Sequence, residues 1–110
     1  MDKLIVKNGL RPVPPGEILR EEFLIPSGLS ANGLAKALGV PANRVTAILK
    51  GTRGITGDTA IRLGAFFGTS AEVWLNLQKT YELRLAEKAF HRGVRARIQK
   101  RRADLVHAAE

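Results

Sequence analysis

The 110-residue chain contains no cysteine, which excludes disulfide bonds and thiolate metal sites. Its two histidines, His91 and His107, have no ligand-type residues at metal-binding spacing, so neither a metal nor another cofactor is expected. No apolar run approaches the roughly 20 residues that span a bilayer. The N-terminal stretch MDKLIVKNG lacks the apolar core and cleavage site of a secretory signal. A soluble, cytoplasmic protein that does not enter membranes is therefore expected. Catalytic patterns are missing as well. The histidines lie in a basic tail without an acid–base partner, no glycine-rich loop follows a strand, and Glu21 and Glu22, being sequence neighbours, lie about 100° apart on a helix. An enzyme is not expected.

What the chain has in excess is positive charge. Eighteen Lys and Arg against ten Asp and Glu give a net charge of +8, which favours a polyanionic partner, nucleic acid ahead of anionic lipid. Residues 87–110 hold seven cations against three anions, and residues 1–86 hold eleven against seven, so each part carries +4. The tail has half of the net charge in under a quarter of the length. It reads either as a solvated basic helix or frayed terminus, or as an auxiliary phosphate contact. Total length and a 45% hydrophobic content fit one domain with a modest core.

Punctuation divides the chain into short helices with almost no strand signal, no internal repeat and no low-complexity linker. Residues 1–14 read as an arm; Leu4, Ile5 and Val6 could form a short strand there, and Pro12, Pro14 and Pro15 end regular structure. A first helix starts at Pro15, with Glu17 complementing its dipole and Leu19 and Phe23 paired at i, i+4, and is expected to stop at Pro26 and Gly28. Ser30 is an N-cap for the second helix. Pro41 suits the first turn of the third, which closes at Gly51 as a left-handed C-cap. Thr56 or Asp58 can cap the fourth, whose Ala60, Leu63 and Phe67 face inward before Gly68. Ser70 caps the fifth and longest, with an apolar line through Trp74, Leu77, Tyr81 and Leu85. The expectation is an all-α fold: a five-helix domain over residues 15–86, with a basic helical extension over residues 87–110. Phe66, Phe67, Trp74 and Tyr81 are expected to form core.

The most informative stretch is SANGLAKALGVPANRVTAILKGTR, residues 30–53. It reads as two short amphipathic helices joined by a tight turn at Gly39, Val40 and Pro41, the signature of a helix-turn-helix. Leu34, Ala35 and Leu38 share one face, with Lys36 on the other; Val45, Ile48 and Leu49 form a second apolar stripe. The same period turns Asn43, Thr46, Ala47 and Lys50 toward solvent as a small polar surface that fits a major groove. Asn43, near the helix start, can pair bidentately with adenine N6 and N7; its alternative roles are to start the helix or to meet phosphate. Thr46 and Ala47 are small enough to touch a thymine methyl. Arg44, Lys50, Thr52 and Arg53 flank or follow the reading face, where phosphates lie. Ser30 can cap its helix while the first-turn amides remain available to a phosphate.

Four segments carry a family resemblance: PGEILREEFL at 15–24, LAKALGVP at 34–41, ILKGTRGITGDTAIRL at 48–63 and FFGTSAEVWLNLQKTYEL at 66–83. From about Pro15 to Glu87 the chain resembles the HigA antitoxins, a branch of the lambda-repressor-like helix-turn-helix proteins. The resemblance implies a homodimer that binds double-stranded DNA at a palindrome in its own promoter. It also implies a second partner, a small HigB-like toxin that cleaves ribosome-bound mRNA and is masked by the antitoxin. A stand-alone repressor without a toxin is the alternative, and the identity of the adjacent gene separates the two.

Two surfaces follow for those partners. A small domain cannot bury every residue of its fifth helix, so Val73, Trp74, Leu77 and Tyr81 are candidates for a two-fold interface. A nuclease that grips mRNA should be basic, and Glu17, Glu21 and Glu22 on the first helix form the chief acidic cluster. That edge is a candidate toxin contact, or else a solvated face with acids favoured by the helix dipole.

Overall fold

A computed structural model describes residues 11–109. The possible strand at Leu4, Ile5 and Val6, with most of the expected arm, lies outside the described residues. Those described form six helices and no strand. α1 is continuous through three segments: an α-helical start, Pro15–Ile18; a π-helical stretch, Leu19–Leu24; and a last α turn, Ile25–Ser27. Then come α2 (Ala31–Leu38), α3 (Ala42–Lys50), α4 (Gly57–Phe67), α5 (Ala71–Ala89) and α6 (Arg92–Ala109). None of the described helices is long and apolar enough to cross a membrane.

The helix starts follow from local chemistry. Pro15 is the first residue of α1, where its missing N–H costs nothing. Ser30, Thr56 and Ser70 each stand in extended conformation and accept a hydrogen bond from the backbone N–H three residues on. Asp58, the other candidate cap of α4, is engaged elsewhere. Pro41 stands one residue before α3, at its N-cap, rather than within its first turn.

The end of α1 differs from the sequence expectation. Pro26 lies inside the helix, and the stop comes at Gly28, whose φ of 68° takes the left-handed conformation. Proline in a regular α-helix lacks a donor and its ring crowds the carbonyl four residues back. Here the preceding stretch is wound more loosely, with the Ile25 N–H reaching back five residues to the Arg20 carbonyl. That wider turn gives Pro26 room.

α1 to α5 close around one core. Leu34 and Leu38 of α2, Val45 and Ile48 of α3, and Ala60 and Leu63 of α4 are buried around Trp74 of α5. The Trp74 ring is wholly buried, and its Nε1 donates to Thr69 Oγ1 at 2.9 Å. Phe67 and Phe23 stack near it, their centroids 6.3 and 5.0 Å from the indole. The aromatic core thus recruits Phe23, which the sequence reading paired only with Leu19. Phe66 remains largely exposed and Tyr81 half-buried. Trp74 is accordingly removed from the candidate two-fold interface: its side chain faces its own core and has no surface for a partner.

α1 meets α3 at Gly16. A methyl group there would overlap the carbonyl of Ile48, so glycine sets the closeness of the two helices. α6 is different. Apart from Gly93 and Val94 its described side chains are exposed. The chain measures 61 × 27 × 24 Å with a radius of gyration of 18.4 Å, against about 13 Å for a compact domain of this length.

Candidate nucleic-acid interface

α2 and α3 form the helix-turn-helix in the expected register. α2 begins with Ser30 Oγ accepting the Gly33 N–H at 3.0 Å. It ends at Gly39, whose φ is 72°. The Gly39 N–H then reaches the Lys36 carbonyl and the Val40 N–H reaches the Ala35 carbonyl, closing the orphan acceptors of the helix end. Pro41 is extended and its carbonyl accepts the Arg44 N–H at 3.0 Å, which starts α3.

The inner stripe of α3, Val45 and Ile48, is buried, while Asn43 and Lys50 are exposed and Thr46 and Ala47 half-buried. The four therefore share one outward surface. Thr46 Oγ1 donates to the Asn43 carbonyl at 3.3 Å, which occupies its hydroxyl proton within the helix. At the other end, the N–H and the hydroxyl of Thr52 both donate to the Ala47 carbonyl, at 3.0 and 3.2 Å, and the Arg53 N–H joins them. The exposed Thr52 thus clasps the C-terminal end of α3 through both of its donors. Lys50 and Arg53 are exposed and form no ion pair among the described residues.

Arg44 is not available in the way the sequence implied. Its Nη1 donates to Asp58 Oδ2 at 2.7 Å, and the side chain is only 25% exposed. Asp58 Oδ2 also accepts Arg62 Nε at 3.0 Å, and Arg62 Nη1 continues to the Leu38 carbonyl at 2.8 Å. One carboxylate thereby ties α3 to α4, and Arg62 ties α4 to the end of α2. The Arg62 guanidinium holds the Asp58 carboxyl below its usual range, with Arg44 acting in the same sense. Arg44 is therefore an internal brace of the recognition helix. The sequence offered Asp58 only as a helix cap and did not single out Arg62; the signal for this role was their i, i+4 pair of opposite charge.

A third brace also escaped the sequence. Gln78 of α5 accepts the Ile55 N–H at 2.8 Å, and a Cβ at Gly54 would meet the same carboxamide and push it from this position. The loop that follows α3 is thereby fixed to α5. Gly16, Ile48, Arg53, Gln78 and Tyr81 are among the residues lining a cleft of about 280 Å³ beside that loop.

The other predicted surfaces are also placed. Glu17 pairs with Arg11 at 2.8 Å, Glu21 is exposed, and Glu22 is half-buried. The acidic edge thus spans the start of α1 and its π-helical stretch, with part of its charge already met by Arg11. Val73, Leu77 and Tyr81 are half-buried along α5, and Leu77 packs against the core.

Residues 19–74 match the helix-turn-helix family. The chain is 54% identical to virulence-associated protein I of Dichelobacter nodosus over 74% of its own length and 76% of that protein. It is 42% identical to antitoxin HigA-1 of Vibrio cholerae, covering 70% of this chain and 72% of the relative. Among solved structures it is similar to the Pseudomonas aeruginosa antitoxin HigA with the higBA promoter, at a TM-score of 0.70 and 52% identity over 72% of this chain and 86% of that one.

Proposed function

The chain belongs to the HigA antitoxins of the helix-turn-helix family, and from that membership we propose how its surfaces divide the work of repressing its own operon and neutralising a toxin. It is a DNA-binding regulator and not an enzyme. The observation that carries the reading is the outward face of α3. Asn43, Thr46, Ala47 and Lys50 line it, while its back is fixed by Val45, Ile48 and the Asp58 brace. A helix so held can enter a major groove without reorganising, which spares the ordering cost of binding.

In this reading Asn43 hydrogen-bonds an adenine edge, and Thr46 and Ala47 offer methyl groups to thymine. Ser30, Lys50 and Arg53 hold the backbone on either side, Ser30 through its own hydroxyl proton and the first-turn amides of α2. Two copies related by a two-fold axis through Val73, Leu77 and Tyr81 address two half-sites. Glu21, with Glu17 and Glu22 beside it, faces a basic ribonuclease toxin on the α1 edge. The protein works in the cytoplasm, where its promoter is.

Co-expression with the product of the adjacent gene tests the proposal. A stable complex that relieves the growth arrest caused by that product supports it. Retained promoter binding with neither complex nor toxicity would leave a stand-alone repressor.

A further inference from the structure

α6 carries six cations, Arg92, Arg95, Arg97, Lys100, Arg101 and Arg102, against the single anion Asp104. None of the six forms an ion pair among the described residues, and all are exposed. Elsewhere Arg11, Arg44, Arg62 and Arg84 are each matched by a carboxylate. Among the described residues the other unpaired cations, Arg20, Lys36, Lys50, Arg53, Lys79 and Lys88, are spread over α1, α2, α3, α5 and a loop, whereas these six stand together on one helix that packs on almost nothing.

Such a helix is costly by itself. Arg92 and Arg95, Arg97 and Lys100, and Arg97 and Arg101 stand at i, i+3 or i, i+4 spacing, where like charges repel. His91 offsets part of this by capping the first turn, its Nδ1 accepting the Gly93 N–H at 3.2 Å. A polyanion alongside removes the repulsion.

The arrangement of residues around α6 selects the partner. At 3.6 residues per turn, Val94, Ile98 and Leu105 fall within about 40° of one another, and the six cations occupy the rest of the circumference. A second copy of α6 needs a continuous apolar seam. Here the seam is broken between Ile98 and Leu105, where Arg101 and Arg102 stand. Cations on every other side instead suit a partner with negative charge on two walls, as the phosphates of a duplex groove present. We propose that α6 is a second DNA-contacting element that grips the phosphate backbone flanking the operator. This rests on the operator-binding role assigned to α2 and α3, and deepens it: the globular part supplies sequence reading and α6 supplies salt-sensitive, sequence-independent affinity.

The test compares the full chain with the triple variant Arg97→Gln, Lys100→Gln, Arg101→Gln, glutamine keeping helix propensity. Binding is measured against salt on the bare promoter palindrome and on the same palindrome with an added turn of arbitrary duplex on each side. Each lost phosphate contact flattens the log–log slope by about 0.9. A slope flatter by about 2 to 3 per protomer on the long duplex, equal slopes on the short one, and recovery with Arg97→Lys, Arg101→Lys are expected. Equal slopes on both duplexes, with the palindrome still bound, overturn the role of α6 and leave the reading of α3 intact. Failure of both proteins to prefer the palindrome over a scrambled duplex strikes at α3 instead. Equal slopes together with loss of binding to phosphatidylserine vesicles would reassign α6 to anionic lipid and also overturn the proposal.

Discussion

Asn43 and Lys50 share the exposed face of α3, yet their removal should be felt differently. Asn43→Ala is expected to cost about 1–3 kcal/mol on the operator and to relax preference at one base pair, because the lost bond is to a base edge. Lys50→Ala should weaken operator and scrambled duplex alike and lower the salt slope by about 1. Titration of both duplexes separates the two. Asp58 acts on the same helix from behind. Its folded-state pKa is lowered, so its contribution is full above the ordinary carboxylate range and fades as pH falls through the lowered value. The melting temperature of Asp58→Asn should therefore lie below that of the parent at neutral pH and converge with it in acid. A gap that persists at low pH would show that the carboxylate charge is not what braces Arg44.

At the scale of elements, the contact of α1 with α3 decides how the recognition helix is seated. In an exposed helix Gly→Ala gains about 1 kcal/mol. At Gly16 the sign reverses, since the added methyl would overlap the Ile48 carbonyl, which is backbone and cannot swing away. Gly16→Ala is expected to destabilise the fold by about 1–3 kcal/mol by denaturant titration, as overpacking does. Elements were legible in the sequence where the rule is local. Ser30 and Ser70 cap as expected, and Gly39, Gly51 and Gly68 end their helices with φ near 75°. What stayed hidden depends on partners distant in sequence. Pro26 continues its helix because a π-helical stretch precedes it. Trp74 was expected in the core and also offered as an interface residue; the rings of Phe23 and Phe67 beside it and its full burial leave only the first role. Arg44 looked free until Asp58, fourteen residues on, was brought against it.

At the scale of the molecule, the proposed division of labour assigns each surface a different partner: the outward face of α3, the acidic edge on α1, the half-buried stripe on α5 and the basic rod of α6. Only the first was visible as a motif; the others are patterns of charge and exposure that gain meaning from the fold. The central claim is that α3 reads the chain's own promoter from a two-fold dimer. A DNase footprint of the purified protein across the region upstream of its gene tests it most directly. Two protected half-sites centred one helical turn apart, about 34 Å, are expected, with protection lost in Asn43→Ala at the same protein concentration. A single unpaired site, or a footprint that Asn43→Ala leaves unchanged, would contradict the account.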